Sequence, residues 1–270
     1  MNKQVSWRGL VIPLIVIIFW WGLGKAGLIN LQLIPSIEQV CQALLELIKG
    51  QTLMRHLAIS IQRVLIGFIF AGVIGVPFGI ILGWFPGLQP WFNPTLHFLR
   101  QIPPVAWIPL FIMWFGIGEA SKNAIIFYAA FFPIFLNTQL GVSQIAKEYW
   151  EVARLYQFPW SKTLVKLVLP GSARTIITGL RLGMGMSWRA LVAAEMLAAN
   201  SGLGYLIVIS RSLVRLDELV VGIVIVGVVG IIMDGLFVWL EKQLPWAKNS
   251  KEGELDGAEL IFSESNLKDL

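Results

Sequence analysis

Apolar residues run almost unbroken through several stretches of this chain, each close to the ~20 residues a helix needs to cross the hydrocarbon core of a bilayer. Six spans are predicted, at about residues 9–28, 64–85, 102–118, 123–142, 172–199 and 219–240. Between the first two, Ser36 is placed to cap a helix carrying Ile37, Val40, Leu44, Leu45 and Ile48. That amphipathic pattern fits the membrane surface or the side of the bundle. Gly87 and Pro90 predict a turn after the second span. From Lys242 the chain becomes polar, and 246–270 reads as a disordered cytoplasmic tail behind a transmembrane domain at 1–245.

The polar interruption at about 143–170 differs from the rest. Val142, Ile145, Ala146, Tyr149, Val152, Ala153 and Tyr156 recur at the spacing of one helix face, with Gln144, Lys147, Glu148, Glu151 and Arg154 on the other. Phe158-Pro159 breaks this helix, and a second short one, about 161–169, is expected to end at Pro170. A helix–turn–helix between two spans makes a compact knob suited to a partner's groove. The alternative is an ordinary loop of a polytopic protein.

Composition sharpens this picture. The chain has 270 residues, 56% hydrophobic and 14% charged, with a mean hydropathy of +0.73. A soluble chain carries roughly 25% charge. The fold class is therefore all-α, a polytopic membrane protein. The net charge of +5 reports orientation before it reports any nucleic-acid partner. With both termini inside, twelve Lys and Arg fall in cytoplasmic segments and seven outside, the latter including Arg63 and Lys122; Arg181 and Arg189 lie within the fifth span. This bias favours an inside amino terminus and puts the charged knob in the cytoplasm. The first run lacks a small-x-small cleavage site and reads as an uncleaved span.

Cys41 is the single cysteine, and His56 and His97 have no partners at ligand spacing, so no metal site is expected. No GxxxxGK[ST] loop occurs, and the chain is not expected to hydrolyse ATP. A membrane enzyme would need a cluster of catalytic His, Cys or Asp that the pattern does not supply.

Three constellations stand out inside the spans. Gly179, Gly183 and Ser187, at steps of four, predict a close helix-packing seam within the subunit or between two copies. Arg189 and Glu195, about 240° apart on one helix, either find partners on other helices or mark an interruption. Arg189 could draw an anion into a pathway or serve a structural ion pair. In Arg100-Gln101-Ile102-Pro103-Pro104-Val105-Ala106-Trp107-Ile108-Pro109, three prolines in seven residues interrupt the third span, as a gate or as a fixed kink.

The 151–170 segment resembles the EAA loop of membrane subunits of bacterial ABC importers. More of the chain joins in: Leu33-Ile34-Pro35-Ser36, Leu99-Arg100-Gln101-Ile102-Pro103-Pro104, Trp114-Phe115-Gly116-Ile117-Gly118, Trp188 to Met196 and Asn200-Ser201-Gly202-Leu203-Gly204-Tyr205. Together they are similar to permease subunits of the nitrate, sulfonate, taurine and bicarbonate branch, over roughly residues 10–245. The 200–204 run is most like the aliphatic-sulfonate members. The resemblance implies a homodimeric inner-membrane permease. It would work with cytoplasmic ABC ATPase subunits, which bind ATP and Mg, and with an external substrate-binding protein. Glu151, Ala153, Arg154, Gln157 and Pro170 would form the ATPase-coupling element. Arg189, Glu195, Arg100 and Pro103 are candidates for the substrate pathway. One residue departs from the pattern: Gln157 stands where the family usually has Gly, in a turn that suits positive φ. A self-sufficient carrier or channel would account for the spans but not for the knob.

Overall fold

The computed structural model describes residues 8–26 and 34–243. Within them the chain is helical: α1 (Arg8–Lys25), α2 (Ile37–Lys49), α3 (Thr52–Trp84), α4 (Gln89–Gln101), α5 (Ile108–Phe115), α6 (Glu119–Ser143), α7 (Lys147–Leu155), α8 (Trp160–Thr163), α9 (Leu169–Ala198), α10 (Leu203–Ser212) and α11 (Leu216–Gln243). Leu33, Lys3 and the expected tail at 246–270 lie outside the described residues.

Among the described residues three helices, α3, α6 and α11, are long and apolar enough to cross a membrane. The count reaches five if two bent pairs each make one span. One pair is 86–101 with 104–115, bent by 90°; the other is 160–198 with 203–212, bent by 42°. The expected third span at 102–118 is thus not one straight helix. Pro103 and Pro104 remove successive backbone donors, and a 3-10 turn at Pro104–Trp107 leads into α5. The turn expected at Gly87 and Pro90 takes the form of a 3-10 turn at Pro86–Leu88 that runs into α4, with Pro90 in the first helical turn of α4, where its missing N–H is not needed.

The second expected span also starts late. α3 begins at Thr52, twelve residues before residue 64, because Arg55, His56, Ser60, Gln62 and Arg63 lower the hydropathy of a stretch that is nonetheless helical. Arg63, assigned above to an outside segment, therefore lies within α3. Pro170 does not end a helix either. Leu164–Val168 forms a π-turn, with Leu169 N–H donating to the Leu164 carbonyl, and the helical course continues from Trp160 to Ala198. The wider turn absorbs the donor that Pro170 lacks.

The chain packs as two compact units. The first contains the described residues of Met1–Gln62 together with Leu191–Val228. Here Ser36 caps α2 through a reciprocal box: Gln39 N–H donates to Ser36 Oγ at 3.2 Å and Ser36 N–H to Gln39 Oε1 at 2.8 Å. The buried stripe of α2 holds Ala43 and Leu47, whereas Leu45 and Ile48 are exposed.

The second unit contains the described residues of Arg63–Ala190 and Val229–Leu270. At its centre is α6, with Ala130, Ile134 and Phe135 fully buried. Small residues recur on α3 at every fourth position: Gly67, Ala71, Gly75, Gly79 and Gly83. A Cβ at Gly79 would sit 2.7 Å from the Phe135 carbonyl oxygen, and one at Gly83 would sit 2.8 Å from that of Gln139. On α9, Cβ atoms at Gly179 and Gly183 would meet Asn137 Cβ and Ile134 Cγ1 at 2.8 Å. Small residues at this spacing let backbones approach closely, which is how helices associate where lipid removes the hydrophobic drive. Two such stripes, one on α3 and one on α9, clasp α6.

Candidate functional site

The segment expected to couple to an ATPase is built on a short helix with an anchored inner side. Ala146 caps α7 in extended conformation, and Ala153 is buried. Trp150 packs on Trp84 of α3 with ring centroids 5.4 Å apart. Both join a cluster of Ile80, Val142 and Val168, flanked by Val76 and Leu164. Beside this anchor is a cavity of about 380 Å³ lined by Trp84, Val142, Ser143, Ile145, Lys147, Glu151 and Arg154 among others. The outer side is different. Tyr149, Val152, Leu155, Tyr156 and Trp160 are exposed, Leu155 at 80%, beside the exposed charges of Glu151 and Arg154. The face expected to be the apolar inner one is split: Val142 belongs to α6, and Tyr149, Val152 and Tyr156 point outward.

The turn after α7 is a Schellman cap. Gln157 N–H donates to the Arg154 carbonyl at 2.9 Å and Phe158 N–H to that of Ala153 at 3.0 Å. Gln157 occupies the αL position with φ 49°. The turn that normally calls for glycine is present, with a glutamine held in it. Pro170 lies beyond this element, inside the continuous helix that starts at Trp160.

Around the predicted pathway residues, Arg100 is exposed at the end of α4 and makes no ion pair among the described residues. Pro103 is exposed at the bend. The bend is tied down by Tyr128 Oη, which donates to the carbonyls of Leu99 and Ile102. Arg189 is exposed, and its Nε donates to the Gly185 carbonyl of its own helix at 3.1 Å.

Glu195 is 1% exposed and has a different setting, in the first unit. Ser60 Oγ reaches its two oxygens at 2.8 and 2.9 Å, and Gly204 N–H donates to Oε2 at 3.0 Å. Leu203 N–H donates to Ser60 Oγ at 2.9 Å and Gly202 N–H to His56 Nδ1 at 2.9 Å. Glu195, Ser60 and His56 thus satisfy the free amides that open α10, and the carboxylate complements the positive end of that helix. Gly202, at φ 109°, leaves room for the Glu195 carboxylate where a Cβ would collide with it.

Two ion-pair groups were not singled out by sequence spacing. Arg63 holds Glu119 in a two-pronged pair, Nε to Oε2 and Nη2 to Oε1, both 2.6 Å, with Lys122 Nζ at 3.0 Å from Oε1. The two cationic side chains are 5% and 6% exposed. On α9, Arg181 pairs with Asp234 of α11 through Nε at 2.6 Å and Nη2 at 2.8 Å. The partners in each group lie 53 or more residues apart in sequence, apart from the Glu119–Lys122 step, so no local pattern reveals them.

Known proteins resemble the chain along most of its length. The profile of the binding-protein-dependent transport system inner membrane component family matches residues 75–244. The putative aliphatic sulfonates transport permease protein of Bacillus subtilis is 35% identical over 93% of this chain and 92% of its own length. The taurine transport system permease protein of Escherichia coli is 32% identical over 86% of each chain. The nitrate import permease protein of a Synechocystis species is 35% identical over 67% of this chain and 66% of its own length.

Proposed function

This chain belongs to the family of binding-protein-dependent transport system inner membrane components, and from that premise we propose how it works. It is the membrane subunit of an ATP-driven importer, placed in a bacterial inner membrane as two copies with both termini on the cytoplasmic side. Cytoplasmic ABC ATPase subunits, carrying ATP and Mg, dock on α7. An external binding protein delivers a small oxyanion, an aliphatic sulfonate before nitrate, taurine or bicarbonate. Arg189 attracts that anion, with Arg100 and Pro103 shaping the pathway, whereas the buried Glu195 braces the start of α10.

The observation that supports this reading best is the two-sidedness of α7. Its outer side exposes Tyr149, Val152, Leu155 and Tyr156 next to charged groups, as a docking surface does. Its inner side fixes Trp150 in a cluster shared by α3, α6 and the π-turn, so a force on α7 reaches spanning helices. Glu151→Lys reverses a charge on the docking side without touching the anchor. The expected result is intact membrane insertion with weakened ATPase co-purification or hydrolysis uncoupled from uptake. Wild-type assembly with wild-type coupled uptake in that variant rejects α7 as the ATPase contact. Uptake driven by an ion or proton gradient in purified permease without an ATPase rejects the importer.

A further inference from the structure

Five residues of α9, Arg174, Thr178, Arg181, Gly185 and Arg189, fall within about 80° of one another at about 100° per residue. Gly179 and Gly183, which pack on α6, and the buried Ser187 lie on the opposite side, about 160° away. Their counterpart is therefore a cationic stripe. The three guanidinium groups are spaced by about 10 and about 12 Å along the helix axis. Arg174 and Arg189 are exposed and make no ion pair among the described residues.

The middle arginine has a counter-ion in Asp234, with Glu241 of the same helix also within electrostatic reach, and the Arg181–Asp234 pair is itself open. The side chains of Arg181 and Asp234 are 37% and 54% exposed. Asp234 sits on α11, where Ile231, Ile232, Leu236 and Trp239 are exposed hydrophobics. An open ion pair within an apolar spanning segment, flanked along its own helix by two further arginines, is incompatible with hydrocarbon on that side. It fits water, and the net charge of the stripe selects anions.

We propose that Arg174, Arg181 and Arg189 line a water-filled anion route along α9, with Asp234 as the displaceable counter-ion of the middle arginine. This rests on the importer reading above and adds the path of the cargo. The Arg181 fork already holds a carboxylate through two parallel hydrogen bonds, the geometry that a sulfonate, nitrate or bicarbonate also presents. Gly185 and Thr178 keep the spaces between the arginines small-sided. An oxyanion passing along the stripe exchanges one guanidinium for the next, and Asp234 recloses on Arg181 behind it, which limits how long the anion stays.

Cysteine accessibility tests this in the assembled complex with its ATPase and binding protein. Cys41 is changed to Ser, and Thr178→Cys, Gly185→Cys and Val73→Cys are compared. Val73 is 66% exposed on the side of α3 away from its small-residue stripe and serves as the lipid-facing control. The probes are two membrane-impermeant methanethiosulfonates, one carrying a sulfonate and one a quaternary ammonium. Positions 178 and 185 should react at least tenfold faster than position 73, with the sulfonate reagent ahead. Arg181→Gln should cut that anion preference at position 178 severalfold. Reaction at 178 and 185 no faster than at 73 overturns the proposal, as does preference for the cationic reagent. Disulfide linkage between two Thr178→Cys copies without labelling also overturns it, assigning the stripe to packed protein. Wild-type complex without ATP-driven uptake would refute the importer instead, which keeps the two failures apart.

Discussion

At the scale of single residues, three side chains, Gln51, Gln157 and Val214, sit at a left-handed φ where glycine is usual, each just past a helix end, and two of them complete a full cap. Gln157 at φ 49° and Val214 at φ 59° occupy the αL position of a Schellman cap; Val214 N–H donates to Arg211 and Arg215 N–H to the Ser210 carbonyl. A left-handed conformation costs an L residue about 1–2 kcal/mol, and a β-branched side chain is the worse fit. Glycine gives back part of that gain through the freedom it adds to the unfolded chain. Both side chains are exposed, so little packing is lost. Gln157→Gly should therefore raise stability by about 0.5–1 kcal/mol and Val214→Gly by more, read as thermal unfolding of the purified permease in detergent. The opposite ranking would show that the caps are not the source of strain. The turn at 157 was legible in the sequence because its neighbours follow a recognisable spacing. The one at 214 was not, since a valine gives no sign of a left-handed turn. The setting of Glu195 was equally hidden: Ser60, which donates to its carboxylate, and His56, which accepts from Gly202 N–H, lie on another helix more than 130 residues away.

At the scale of elements, the stripes on α3 and α9 decide how closely α6 is held. The sequence pattern revealed the α9 seam, but Gly67, Ala71, Gly75, Gly79 and Gly83 hide within a run so hydrophobic that every face looks alike. Their spacing of four is the only trace. The geometry ranks the α3 glycines. A Cβ at Gly79 would press on the Phe135 carbonyl at 2.7 Å, a backbone atom that cannot rotate away, whereas one at Gly72 would meet only Leu180 Cδ2 at 3.7 Å. Gly79→Ala should thus destabilise by about 1–3 kcal/mol as an overpacked contact. Gly72→Ala should be neutral or slightly stabilising, because alanine favours the helix by up to about 1 kcal/mol. Equal thermal stability of the two variants would mean that α3 and α6 are not in the close contact described. Element boundaries were less legible than element existence. Hydropathy clipped the polar start of α3, and Pro170 looked like a stop because a π-turn that absorbs it leaves no mark in residue periodicity.

At the scale of the whole molecule, the proposed mechanism requires that an event at the ATPase reach helices that cross the bilayer, and under that proposal α7 divides the task between its two sides. Docking and transmission are therefore separable by mutation. Leu155 is 80% exposed and touches the anchor cluster through no ring or buried contact, so Leu155→Asp should leave the fold intact while weakening ATPase binding. An apolar anchor at the centre of an interface is worth about 2 kcal/mol or more, which corresponds to at least ~30-fold in affinity. Trp150 lies on the other side, against Trp84 and the Ile80–Val142–Val168 cluster. Trp150→Leu keeps that side apolar but removes the ring contact that locks α7 to α3. ATPase affinity should then stay within about threefold of wild type, since the lost contact is not at the interface, while anion taken up per ATP hydrolysed falls about tenfold. Binding measured in detergent and coupled uptake measured in proteoliposomes read the two quantities independently. If Trp150→Leu loses affinity as far as Leu155→Asp, the tryptophan serves docking and not transmission. If it loses neither affinity nor coupling, force passes from α7 to the spans by another route, the backbone of the Trp160–Ala198 helix being the one that remains.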